Sequence, residues 1–260
     1  MRNLVFKSEI SRRLRLLEMT RRGGVSILER VSSLFFPPEC ETCGSIVSPD
    51  SASGVCASCV LEIKFLEPPF CETCGRNTRQ NGPQCVECLD KSFYFDRAFS
   101  CALYEGKMKA LIHAYKFEGR KILRNFFSEA LLRFIDRHLK IFTWNAVAAV
   151  PLDSEKKRSR GFNQSEFLSH SAAAALKVED LSQGIRRKKS AHPQSLLGKN
   201  ERRLNVKDCF FASPGCNFSS KRILLIDDIL TTGQTASECA RSLKIAGASS
   251  VIVLTLARGA

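Results

Sequence analysis

The residues best suited to chemistry lie in one unbroken run, Ile223-Leu224-Leu225-Ile226-Asp227-Asp228-Ile229-Leu230-Thr231-Thr232-Gly233-Gln234-Thr235. Four aliphatic residues read as a buried strand, and two adjacent carboxylates close it. A hydroxyl-rich loop with a glycine then opens a helix. Backbone N–H groups at a helix N-terminus, joined by threonine hydroxyls, suit a phosphate monoester. Gly233 permits close backbone approach. Carboxylates repel phosphate but accept hydrogen bonds from sugar hydroxyls. The acids also fall at the carboxyl end of a strand, where open α/β sheets bind ligands. The run therefore describes a ribose 5-phosphate site. A helix cap after an acidic turn accounts for the threonines, but not for aliphatics, acids and TTGxT in that order.

A second constellation lies nearer the N-terminus. Eight of the twelve cysteines form four CxxC pairs: Cys40/Cys43, Cys56/Cys59, Cys71/Cys74 and Cys85/Cys88. The first pair of each set sits in a repeated string, Pro37-Pro38-Glu39-Cys40-Glu41-Thr42-Cys43-Gly44 and Pro68-Pro69-Phe70-Cys71-Glu72-Thr73-Cys74-Gly75. Two tandem modules follow, each able to hold tetrahedral zinc with four thiolates and no open position, which makes the metal structural. Pairing within each repeat is the simplest arrangement, and the spacing leaves an interleaved one open. Gly44 and Gly75 are expected at positive φ, turning backbone N–H groups toward the thiolates. Cys101, Cys209, Cys216 and Cys239 have no partners in sequence and read as packing residues. His113, His138, His170 and His192 share no ligand spacing.

The third feature is charge. The chain of 260 residues carries a net +14, unevenly placed. Residues 40–95 sum to −3, residues 96–150 to +5 and residues 151–222 to +8. A central basic surface suits a polyanion, either pyrophosphate or nucleic acid.

These residues need elements to hold them. Composition is that of a soluble globular protein with one sizeable core and a small satellite module. No apolar stretch is long enough to span a membrane, and no signal-peptide core is present, so the expected compartment is the cytoplasm. Residues 1–24 read as a basic extension, residues 25–92 as a double zinc ribbon with a leading helix over 25–36, and residues 93–260 as an α/β domain. In that domain strands are expected at 95–100, 146–150, 222–226 and 251–256. Helices are expected at 108–117, 121–140, 164–176 and 232–246, with a loop or ribbon over 184–205. Strand and helix in alternation imply a parallel sheet flanked by helices.

The run 223–235 closely resembles the PRPP-binding motif of type I phosphoribosyltransferases, PRPP being 5-phosphoribosyl-1-pyrophosphate. Further strings resemble the ComF family: Val150-Pro151-Leu152, Arg158-Ser159-Arg160-Gly161-Phe162-Asn163-Gln164, Gln194 with Leu197, Arg202-Arg203-Leu204-Asn205-Val206, and the opening Leu34 to Gly44. The resemblance covers residue 25 to the C-terminus. It implies a type I phosphoribosyltransferase-like fold behind a double zinc ribbon. It implies that Asp227 and Asp228 hold the ribose hydroxyls, that Thr231, Thr232, Gly233, Gln234 and Thr235 wrap the 5-phosphate, and that Pro151, Leu152, Arg158 and Arg160 carry pyrophosphate, with Lys156 and Lys157 adding charge. The segment 186–203 would close over the site. Magnesium would accompany PRPP. Two function classes stand. One is a pentosyl transferase with an undeclared acceptor and no assignable general base. The other is a PRPP-binding accessory protein of natural transformation, with single-stranded DNA and other competence proteins as partners and Phe162 as a stacking candidate.

Overall fold

The computed structural model describes residues 37–48, 53–78, 84–188 and 208–259. The expected helix over 25–36, the basic extension, His192, Gln194, Leu197 and the 202–206 string lie outside the described residues.

The centre is a five-stranded sheet, all parallel. Its strands are β1 (Arg97–Leu103), β2 (Ala146–Ala149), β3 (Glu179–Leu181), β6 (Arg222–Leu230) and β7 (Ser250–Arg258), in the order β1-β7-β6-β2-β3. A separate antiparallel ribbon pairs β4 (Ile185–Arg187), which opens the stretch expected to be a loop or ribbon, with β5 (Phe210–Ala212), which lies beyond it. Along β6 the side chains alternate as a pleat requires. Leu224 and Ile226 enter one hydrophobic layer, Ile223 and Leu225 the other. The first layer is covered by α2 (Gly106–Phe117), α3 (Leu123–His138) and α5 (Gln164–Leu176), the second by α6 (Gln234–Ile245) and the β4–β5 ribbon.

This arrangement creates a switch point. β2 and β6 are hydrogen-bonded neighbours. The chain leaves β2 toward α5 on one face and leaves β6 toward α6 on the other. Their carboxyl ends therefore part around a crevice.

Three details differ from expectation. β6 runs to Leu230, so both acids lie within the strand. The cause is β7, which continues to Arg258 and keeps pairing through Asp227↔Thr255 and Leu230↔Arg258. Ser154–Arg160 is a short helix, α4, in a stretch to which the sequence assigned no element. Asp153 caps it through the Glu155 N–H, and it buries no residue, so no apolar periodicity announces it. β3 was not anticipated, being three residues at a sheet edge with one buried.

The zinc ribbons are not a satellite. Val47, Val55, Val60, Ile63 and Phe65 of the first ribbon, with its helix α1 (Ala57–Glu62), belong to the same hydrophobic cluster as α2, α3 and β1. The outer side of β1 is hydrogen-bonded to ribbon backbone. Leu66 N donates to Cys101 O, Leu103 N to Lys64 O and Ala98 N to Thr73 O, each at 2.9 Å. Gly75 makes that approach possible, because a Cβ there would lie 2.2 Å from the Ala98 carbonyl oxygen.

Candidate functional site

Asp227 and Asp228 sit in the crevice with different partners. The Ser165 hydroxyl, at the start of α5, donates to Asp227 Oδ1 at 3.2 Å, and the Asp228 N–H donates to the same oxygen at 2.8 Å. Lys116, from the end of α2, places Nζ 2.6 Å from Asp228 Oδ2, with only 12% and 16% of the two side chains exposed. Burial, then the neighbouring Asp228 carboxylate, push the Asp227 carboxyl up to about 7. One acid is thus paired with a cation, and the other sits near neutrality between its two ionisation states.

The loop beyond β6 leaves Thr231 and Thr232 exposed. Gly233 takes φ 78° and caps α6, with Ser237 N donating to its carbonyl at 2.8 Å. Gln234 and Thr235 form the first turn. The helix N-terminus therefore opens beside the acid pair.

On the β2 side, the string Arg158 to Gln164 connects two helices. Gly161, at φ 77°, ends α4. Asn163 begins α5 by accepting from Ser165 N, and its amide donates to Val150 O at 3.2 Å, fastening the helix to the end of β2. Phe162 packs against Tyr115 at 5.2 Å between ring centres and adjoins the core. That explains it as a packing residue rather than a stacking one. The exposed aromatic nearby is Phe117, with the Arg160 guanidinium 4.8 Å above its ring. Gln164 is 1% exposed, and its Nε2 has no partner among the described residues.

Positive charge converges on the same crevice. Lys156 is lowered from its usual range by loss of solvent, then by Arg187 and Arg160, with Lys116 also contributing. Arg187, from β4, lies 3.8 Å from Asp153 and against the Phe210 ring. Pro151 and Leu152 are half-buried at the mouth. Arg158 points to solvent on α4, and Lys157 pairs with Glu166 at 2.8 Å. Sequence reasoning missed Lys116 and Ser165 and did not single out Arg187 within its basic segment. The three described histidines are engaged elsewhere: His113 with Glu118, His170 with Asp180, and His138 against Phe70 and Phe134.

The cysteines gather within each repeat and do not interleave. Cys40, Cys43, Cys56 and Cys59 form one group, and Cys71, Cys74, Cys85 and Cys88 the other, with all ligand atoms of a group within 4.8 Å. The Cys43 and Cys56 sulfurs are 3.6 Å apart, and those of Cys74 and Cys85 are 3.7 Å apart, which suits ligands on one tetrahedral ion. Cys56 N and Cys85 N each donate to a thiol sulfur, of Cys40 and Cys71, at 3.3 Å. Both sets fit structural zinc. Gly44 and Gly75 do take positive φ, but their N–H groups donate to the Cys40 and Cys71 carbonyls. Their turn returns the chain across the first cysteine, and the backbone donors to sulfur come from neighbouring residues of the same knuckle, as Cys59 N to Cys56 does at 3.5 Å, as well as from the opposite one.

Comparison with known proteins matches residues 31–89 to the double zinc ribbon domain. Competence protein F of Haemophilus influenzae is 28% identical across 79% of this chain and 91% of its own length. DNA utilization protein YhgH of Escherichia coli O157:H7 is 30% identical across 67% of this chain and 77% of its own. The chain belongs to the ComF family. Another member, Competence protein ComFC of Streptococcus pneumoniae, is 34% identical over 60% of this chain and 65% of its own length. Among solved structures, the allosteric regulatory enzyme of purine biosynthesis aligns over 50% of this chain and 24% of its own, with 20% identity and a TM-score of 0.34. Glutamine PRPP amidotransferase from B. subtilis aligns over 54% and 30%, with 18% identity and a TM-score of 0.37. The sheet topology and the ribbon match give this ComF protein the anticipated α/β architecture, a parallel sheet with flanking helices behind a double zinc ribbon. No helix among its described residues is long and apolar enough to cross a membrane.

Proposed function

We propose that this ComF protein binds PRPP in the crevice between β2 and β6 and serves DNA uptake in natural transformation. The observation that carries the ligand assignment is the meeting of opposite requirements in one cleft. An acid pair near the end of β6 is followed by a helix N-terminus, and Lys116, paired with Asp228, stands among Lys156, Arg160 and Arg187. A ligand filling all three carries hydroxyls, a phosphate and a second polyanionic group. In this reading Asp227 and Asp228 accept from the ribose hydroxyls. Thr231, Thr232, Gly233, Gln234 and Thr235 enclose the 5-phosphate. The loop at Pro151 and Leu152, with Arg160 and the three further cations, holds the diphosphate, and Arg158 lies at its rim. Magnesium, entering with the ligand, neutralises diphosphate charge. The names of the relatives, competence and DNA utilization, support the cellular role.

A second reading is catalytic: a phosphoribosyltransferase of nucleotide or amine metabolism without a DNA role. The intact acid pair and phosphate loop favour it. An acceptor lone pair would form a bond to the anomeric carbon as the carbon–oxygen bond to pyrophosphate breaks and pyrophosphate leaves with the electron pair. The protein would contribute positioning and electrostatics. Pyrophosphate release from PRPP with candidate bases or amines separates this reading from the first.

Calorimetry tests the site itself. Asp227→Asn and Asp228→Asn are each expected to weaken PRPP binding by at least ~10-fold, since a charge-assisted hydrogen bond contributes about 1.5–3 kcal/mol. Because the folded-state value of Asp227 is raised to about 7, ionising it costs stability as pH climbs from the ordinary carboxylate range toward 7. Binding that needs the carboxylate should strengthen over the same rise. The wild type should therefore gain more affinity than Asp227→Asn, the ionisation of PRPP being common to both. Unchanged affinity in both variants would remove the assignment.

A further inference from the structure

The second zinc ribbon and the loop proposed to hold the 5-phosphate share a cleft. Cys74, Cys88 and Phe93 line one side, Thr231 to Gly233 the other, and Arg258 completes it. Two side chains bridge the two sites directly. Phe93 packs against the buried cluster of Cys71, Cys74 and Cys88. Its ring is stacked on Phe95 at 4.7 Å and 13°, which fixes its plane. Its other edge meets the phosphate loop so closely that a Cβ at Gly233 would lie 3.0 Å from ring Cε1. A shift of the thiolate cluster therefore moves Phe93 against Gly233.

Arg258 makes the second bridge. Its side chain is 5% exposed, and one guanidinium nitrogen donates to the Cys74 carbonyl at 2.6 Å. Its Nε is buried and has no hydrogen-bond partner among the described residues. A buried guanidinium is costly unless an anion lies near. A zinc ion with four thiolates carries a net double negative charge, and Cys74 supplies one of the four. The backbone of Arg258 is in register with Leu230, and Gly259 N donates to Leu230 O at 2.9 Å. Gly259 in turn lies against Thr231. The residue that balances the metal site thus also anchors the first residues of the phosphate loop. The first ribbon joins the hydrophobic layer of α2 and α3 instead.

We propose that the second zinc site and the phosphate loop form one linked unit, with Phe93 and Arg258 as its positioning residues, so that ligand in the loop tightens zinc retention in the second ribbon alone. Linkage makes the effect reciprocal. The inference rests on the reading of residues 231–235 as a phosphate site.

The first ribbon is an internal control. Full-length zinc-loaded protein is challenged with a chelator, released thiols are pulse-alkylated, and mass spectrometry follows each set of cysteines separately. PRPP with magnesium is expected to slow labelling of Cys71, Cys74, Cys85 and Cys88 about fivefold, within the usual range of coupling between sites, and to leave Cys40, Cys43, Cys56 and Cys59 unchanged. Arg258→Gln should accelerate release from the second set about tenfold, as loss of an outer-sphere partner does, and erase the protection by PRPP. Phe93→Leu, which keeps an apolar side chain, should keep both ribbons loaded and diminish the protection. Equal acceleration of both sets in Arg258→Gln and intact protection in Phe93→Leu would overturn the proposal. So would calorimetric binding of PRPP to the wild type without protection. If the wild type binds no PRPP, the reading of the phosphate loop fails, and set-selective release in Arg258→Gln still decides the metal half.

Discussion

Lys116 is the residue with the sharpest chemical consequence. Its ammonium pairs with Asp228 and stands beside the cations assigned to diphosphate. A ligand whose hydroxyls take Asp228 must break that pair. In the proposed binding mode PRPP would return a partner for the freed ammonium, whereas ribose 5-phosphate would not. Lys116→Met is therefore expected to weaken PRPP about tenfold, the loss of one charge-assisted contact, while ribose 5-phosphate binds as well as before or better. Parallel losses for both ligands, measured by calorimetry, would show a structural lysine only. Nothing in the sequence marked Lys116, because the contact joins the end of α2 to β6. Asp227, Asp228 and the threonines were legible because strand, acids, loop and helix follow one another without interruption, so local order carries the geometry.

At the level of elements, what was legible followed burial. The core strands and α3 show themselves by their apolar spacing, and the ribbons by exact repetition of cysteine pairs. The helix α4 was invisible because all its residues face solvent or the crevice mouth, and β3 because three residues carry no period. Gly44 and Gly75 take the expected positive φ, and backbone N–H groups do reach the sulfurs, though the glycines' own N–H groups close the turn on the Cys40 and Cys71 carbonyls. Two closed cysteine tetrads predict about two zinc equivalents by elemental analysis of protein purified without chelator. One equivalent, or four disulfides on thiol counting, would contradict the grouping.

For the whole molecule, charge placement decides where a polyanion can lie. The +8 of residues 151–222 contrasts with the −3 of residues 40–95. If DNA is handled by this chain, the contact should be electrostatic, indifferent to sequence and centred on the former. Reversing Arg186, Arg187, Lys188 and Lys189 in the full-length protein is expected to abolish a gel shift with single-stranded DNA at low salt, and the wild-type shift should fade steeply as salt rises. PRPP should compete, because Arg187 belongs to both surfaces. Persistence of the shift after charge reversal would place the interface elsewhere. Removing the ribbons is no alternative test, since the cluster that contains Val60 and Phe65 is continuous with the main core.

The backbone bonds from Leu66, Lys64 and Thr73 to β1 carry one more implication. Among the described residues, they close the longer of the two outer edges of the sheet, at which another chain could add a strand. The segment that closes it keeps its shape through metal–thiolate bonds. Loss of zinc is thus expected to do more than idle a binding site: it would offer an unpaired strand edge to other chains.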